Sequence, residues 1–121
     1  MGPQSVSNLK IWHEGMALAK ASYALTVDWP KSELFGLTSQ IRRAAVSVPT
    51  NLAEGRGRGT RAEMARYGRI ALGSLYELDT LLQLALDLGF GEPDSTREVR
   101  ERVSVLTRQI SSYIQAKRSG P

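Results

Sequence analysis

LTSQIRRAAVSVPTNLAEGRGRGT, residues 37–60, decides the fold of this chain. Leu37, Ile41, Ala44, Ala45, Val48 and Leu52 recur at three and four residues, the spacing that lines one face of a helix. Pro49 sits inside that stripe. It removes one backbone donor and crowds the preceding turn, so a bend near residues 45–48 is expected rather than a break. The run Gly55-Arg56-Gly57-Arg58-Gly59 then leads into Thr60-Arg61-Ala62-Glu63, a capping box in which Thr60 accepts from the backbone of Glu63 while the carboxylate reaches back. The expected order is therefore helix, stop at Gly55, glycine-arginine turn, helix.

Working outward, the helix before this stretch covers residues 8–27, with Leu9, Trp12, Met16, Ala19, Tyr23 and Val27 in phase, and Asp28-Trp29-Pro30 ends it. The second helix begins near Ser32. The third carries Met64, Tyr67, Ala71, Leu75, Leu78, Leu82, Ala85 and Leu88 to a Gly89-Phe90-Gly91 stop of Schellman type. A fourth follows Pro93, opened by a second capping box at Ser95 and Glu98, and shows Val99, Val103, Leu106, Ile110 and Tyr113 in phase. Lys117 and Arg118 suit the negative end of its dipole. Connections this short favour antiparallel neighbours, so the expected fold is all-α, an up-down-up-down four-helix bundle over residues 8–118, with residues 1–7 as a disordered leader.

A chain of 121 residues is one domain able to bury roughly two thirds of its unfolded surface. It has no cysteine, which excludes a disulfide framework or thiolate metal site and points to the cytoplasm. Its longest weakly polar run is too short and too charged to span a bilayer, and Val6 stands where a myristoylation signal needs Ser or Thr, so no membrane partner is expected.

The net charge of +4 is unevenly placed. Residues 42–69 hold seven arginines (Arg42, Arg43, Arg56, Arg58, Arg61, Arg66 and Arg69) against two acids, Glu54 and Glu63. Focused charge of this kind suits a polyanion, and arginine contacts to phosphate give affinity without sequence selection. The five-residue glycine-arginine run, placed before a helix start, offers either an anion nest or a plain soluble turn.

In the first helix, Ile11, Leu18 and Leu25 lie nearly opposite the Leu9, Trp12, Met16 and Tyr23 stripe. A second apolar face predicts a homo-oligomer interface at Ile11, Leu18 and Leu25; the alternative is one wide core stripe. Catalytic chemistry has little to work with. The single histidine, His13, lacks a second imidazole or thiolate, and Ser47, Asn51, Glu54, Gly73, Ser74 and Glu77 read as helix-packing residues. No enzyme, metal or cofactor is expected.

QIRRAAVSVPTNLAEG (residues 40–55), the Trp12 helix, the Trp29-Pro30-Lys31 link and IALGSLYELDTLLQLALDLGF (residues 70–90) together resemble the bacterial four helix bundle family. It comprises proteins encoded within intervening sequences of large-subunit ribosomal RNA genes, sometimes labelled ribosomal proteins, and the related accessory protein of diversity-generating retroelements. Gln40, Arg42, Arg43, Ser47, Pro49, Asn51, Ala53, Glu54 and Gly55 match the second-helix pattern, and Gly73, Ser74 and Glu77 the third. The resemblance implies a four-helix fold, a ring-like homopentamer and, in the retroelement branch, a basic surface that engages nucleic acid and a reverse transcriptase. The expected function is a non-enzymatic homo-oligomer that binds RNA or DNA backbone through its arginine-rich end; the alternative is a scaffold for another protein.

Overall fold

A computed structural model describes residues 6–119. Four helices, α1 (Lys10–Thr26), α2 (Leu37–Arg58), α3 (Arg61–Leu88) and α4 (Pro93–Ser119), account for nearly all of them, and no strand occurs among the described residues. Contacts run around a square, α1 to α2 to α3 to α4 and back to α1, with the diagonal backbones apart. This is the expected antiparallel up-down-up-down bundle. Residues 1–5 of the expected leader lie outside the described residues; Val6–Asn8 form a 3-10 turn, whose Val6 carbonyl accepts from Leu9 N at 3.0 Å.

The core follows the helical stripes. Leu18, Ile41, Val48, Leu52, Leu75, Leu78, Leu82 and Ile110 are fully buried between the four helices. On α1 the two apolar faces exchange the roles the sequence suggested. Leu18 is 1% exposed and Ile11 is buried; Leu25 and Trp12 are both half-buried and packed against the core, Met16 is half-buried and Tyr23 is 45% exposed. Ile11 and Leu18 therefore fill the bundle itself in place of the expected surface for another chain, with Leu25 half-buried beside them. The physical reason is steric: their face also carries Gly15, and a Cβ there would stand 3.3 Å from Pro49 Cβ, so α1 and α2 approach closely on this side. Ser22 and Thr26 share the face and lower its apolar signal, but each returns its hydroxyl to its own helix, donating to Leu18 O (2.9 Å) and Ser22 O (3.0 Å).

Three helix ends differ from expectation. The second helix starts at Leu37 rather than near Ser32, because residues 31–33 form a separate 3-10 turn and the Glu33 carboxylate accepts from Leu37 N at 3.1 Å. That helix also runs past Gly55 and through Pro49 to Arg58, closing only at Gly59, whose φ of 84° is left-handed. Gly55 serves close packing instead: a Cβ there would lie 2.8 Å from Tyr67 Cβ and 3.2 Å from Glu63 O. Of the two alternatives for residues 55–59, the anion nest is therefore not formed and the turn is shorter than expected, since Gly55 to Arg58 continue the helix. Helix α4 opens with Pro93 in the first helical position and Glu92 as the cap, its carboxylate accepting from Ser95 N at 3.0 Å, so Ser95 and Glu98 lie inside the helix.

Two ends match. Thr60 Oγ1 accepts from Glu63 N at 3.1 Å. Gly89 takes φ 77°, and Phe90 N donates to Ala85 O at 3.0 Å, the Schellman pattern.

Candidate nucleic-acid interface

The antiparallel order brings the C-terminus of α2, the N-terminus of α3 and the C-terminus of α4 to one end of the bundle. Three cations converge there, one from each helix. Arg56, partly buried in the last turn of α2, stands beside the Tyr113 hydroxyl. Arg61, in the first turn of α3, donates through Nη2 to the carbonyl of Ala116 near the end of α4. Lys117 holds its ammonium 5.4 Å from the centre of the Tyr113 ring.

Their electrostatics are coupled. Lys117 has its pKa pulled below the ordinary 10.5, first by burial and then by the Arg56 and Arg61 charges. Burial pushes the Tyr113 hydroxyl above the ordinary 10.0, against the opposing pull of Arg56. A cluster of like charges in which the protonated form of Lys117 is disfavoured is a ready acceptor of anions.

The other predicted arginines divide into two groups. Arg58 and Arg66 flank Tyr67, with guanidinium carbons 5.2 Å and 5.1 Å from its ring centre. Both are matched by acids: Arg58 pairs with Glu54 at 3.1 Å and reaches Glu63 at 4.0 Å, and Arg66 pairs with Glu63 at 3.4 Å. The Glu63 carboxylate thus serves these arginines. The hydrogen bond that Arg58 donates to the Glu54 carboxylate raises the Arg58 pKa further above its already high value.

Arg42, Arg43 and Arg69 do not join the converged cluster. Arg42 sits at the other end of the bundle, donating to Thr26 Oγ1 at 2.9 Å and lying 4.6 Å over the Tyr23 ring, where it closes the end of α1. Arg43 is exposed on α2 roughly 20 Å along the axis from Arg56, and Arg69 is exposed roughly 12 Å along α3 from Arg61. Arginine density along the sequence overstates the site for a simple reason: α2 is long, so residues fourteen apart lie at opposite ends of it. Lys117 and Tyr113 complete the cluster. The sequence signal for them was the topology itself, which folds the C-terminal turn of α4 onto the end of α2.

The polar residues at mid-height hold helices together. Asn51 Nδ2 donates to Ser47 Oγ at 2.9 Å, Ser47 and Ser74 hydroxyls lie 2.7 Å apart, and Ser74 Oγ donates to Ile70 O at 3.2 Å. His13 is exposed, 2.9 Å from Ser7 O. No helix among the described residues is long and apolar enough to cross a membrane.

Residues 7–112 match the family model described as 23S rRNA-intervening sequence protein. The chain belongs to that family. Among solved structures, a protein of unknown function from the S23 ribosomal protein family of Bacteroides thetaiotaomicron superposes with a TM-score of 0.76 at 19% identity, covering 86% of this chain and 97% of that one. At that identity the likeness speaks for the fold. No curated protein matches. The 23S rRNA-intervening sequence family assignment and the bundle agree with the resemblance carried by residues 40–55 and 70–90.

Proposed function

We propose that this member of the 23S rRNA-intervening sequence protein family is a cytoplasmic, non-enzymatic homo-oligomer that holds nucleic-acid backbone at the Arg56, Arg61 and Lys117 end of its bundle. The observation that carries this reading is the convergence of one cation from each of three helices, with Arg56 and Arg61 the charges acting on Lys117. Self-association finds its support on α1 and α2, where Trp12, Met16, Val46, Pro49 and Ala53 line a groove of about 730 Å³. Through this groove, in place of Ile11, Leu18 and Leu25, copies of the chain would meet.

Filter binding of generic single-stranded RNA across a salt series tests the reading. Binding is expected to fall with salt, and replacing Arg61 and Lys117 together by Gln should flatten the slope by about 0.7 per lost phosphate contact. Absence of binding at low salt would overturn it. One observation favours the second reading, a scaffold for another protein such as a reverse transcriptase: Phe35 is 93% exposed beside the exposed Leu34, at the opposite end from the cations. RNA-independent capture of a partner, lost in Phe35→Ser, would select that reading.

A further inference from the structure

The basic end of the bundle is a point rather than a track. A surface that follows a nucleic-acid backbone needs cations in a row, so that successive phosphates each find a partner. Here the row is interrupted. On the α2 and α3 side, Glu54 and Glu63 engage Arg58 and Arg66, so the two arginines nearest the cluster are already balanced. Arg43 and Arg69 lie roughly 20 Å and 12 Å farther along their helices. What remains, beside the exposed Arg118 in the last turn of α4, is a group of three neighbouring cations from three helices, Arg56 and Arg61 acting on Lys117, with Arg61 anchored on the Ala116 carbonyl and Lys117 set over the Tyr113 ring.

We propose that the Arg56, Arg61 and Lys117 cluster seats the terminal phosphate monoester of a nucleic-acid strand in preference to its internal diesters. This rests on the nucleic-acid reading above and names the group recognised. The chemistry matches in count and in charge. A terminal monoester presents three non-bridging oxygens, one for each of the three donor groups, whereas an internal diester presents two. It also carries about −1.5 to −2 at neutral pH against −1 for the diester. Two planar guanidinium forks and one ammonium point charge suit such a group. The mutual repulsion of the cations, felt at Lys117, is relieved more by a dianion than by a monoanion.

The test is fluorescence anisotropy on the full chain with one short single-stranded RNA, prepared with a 5′-phosphate, a 3′-phosphate or hydroxyl ends, at constant ionic strength. The phosphorylated strands are expected to bind about tenfold more tightly. Lys117→Gln should weaken every strand, but the phosphorylated ones more than the hydroxyl-ended one, so that the ratio falls close to one. Because Arg61 also holds the end of α4, Arg56→Gln serves as the second variant, and displacement of labelled RNA from the unaltered chain by inorganic phosphate gives a readout that needs no substitution. Equal affinity for all ends, with salt-dependent binding intact, overturns the monoester preference and leaves the backbone reading standing. A preference that survives both variants overturns its placement at this cluster. Binding of none of the strands overturns both proposals.

Discussion

The hydroxyls of Ser47 and Ser74 lie 2.7 Å apart and join α2 to α3 midway along the bundle. They form the centre of a chain in which Asn51 donates to Ser47 and Ser74 donates to Ile70 O, so Ser47 donates across to Ser74. Hydroxyls placed between packed helices are costly unless satisfied, and this chain satisfies both. Ser47→Ala is expected to cost about 1 kcal/mol in urea unfolding. The Ser47→Ala and Ser74→Ala double variant should cost less than the sum of the singles by about 0.5 kcal/mol or more, because either single change already breaks the shared bond. Strict additivity would show that the two hydroxyls act independently.

The exchange of faces on α1 separates two substitutions that look alike in sequence. Leu18→Glu places a carboxylate where the side chain is 1% exposed, so it should abolish cooperative unfolding or lower the midpoint severely, by several kcal/mol. Val46→Glu changes a side chain that is 40% exposed in the α1 and α2 groove. It should leave the far-ultraviolet circular dichroism and unfolding midpoint nearly unchanged while reducing the solution mass measured by light scattering. A folded Leu18→Glu protein of reduced mass would restore the original assignment of that face.

The sequence displayed what local chemistry decides and concealed what distant contacts decide. Thr60 and Gly89 mark helix ends through bonds to residues within a few positions, and both were legible. Gly55 was misread because a local rule, glycine ends helices, competed with a tertiary one, glycine admits a neighbour; the neighbour, Tyr67, belongs to the next helix. On α1, Ser22 and Thr26 lowered the apolar signal of the face that is in fact buried, and the closeness of Gly15 to Pro49, which sets that face against α2, exists only in the fold. At the candidate site, Arg56 and Arg61 were visible as part of a charge run. Lys117 lies some sixty residues beyond them and joins them only once the fourth helix returns to their end.

Two glycines two residues apart in α2 give opposite predictions. Gly57 is helical and a Cβ there meets nothing within 4 Å, so Gly57→Ala should stabilise the protein by about 0.5–1 kcal/mol through helix propensity and reduced unfolded-chain freedom. Gly55→Ala gains the same propensity but drives its methyl to 2.8 Å from Tyr67 Cβ, an atom fixed to the α3 backbone. Overpacking of this kind costs about 1–3 kcal/mol, so the net change should be destabilising. Urea midpoints that shift in the same direction for both would contradict the close α2 and α3 crossing.

Lys117 should destabilise the folded chain at neutral pH and cease to do so in alkali. Its folded pKa is depressed below the unfolded value, so the folded state disfavours its charged form. The penalty is fully present below the folded pKa, where both states hold the proton. It disappears as pH climbs through the folded pKa toward the unfolded 10.5, because over that interval the unfolded chain binds more protons. Tyr113 works in the opposite sense: its raised pKa makes stability fall as pH rises from 10.0 toward its folded value. The comparison that isolates Lys117 is therefore the unaltered chain against Lys117→Met, in which Tyr113 is common to both. The variant should have the higher urea midpoint at pH 7, and the advantage should shrink as pH approaches 10.5. An advantage that stayed constant across the range would mean that packing of the methionine, and not relief of a charge disfavoured by burial and by Arg56 and Arg61, set the difference.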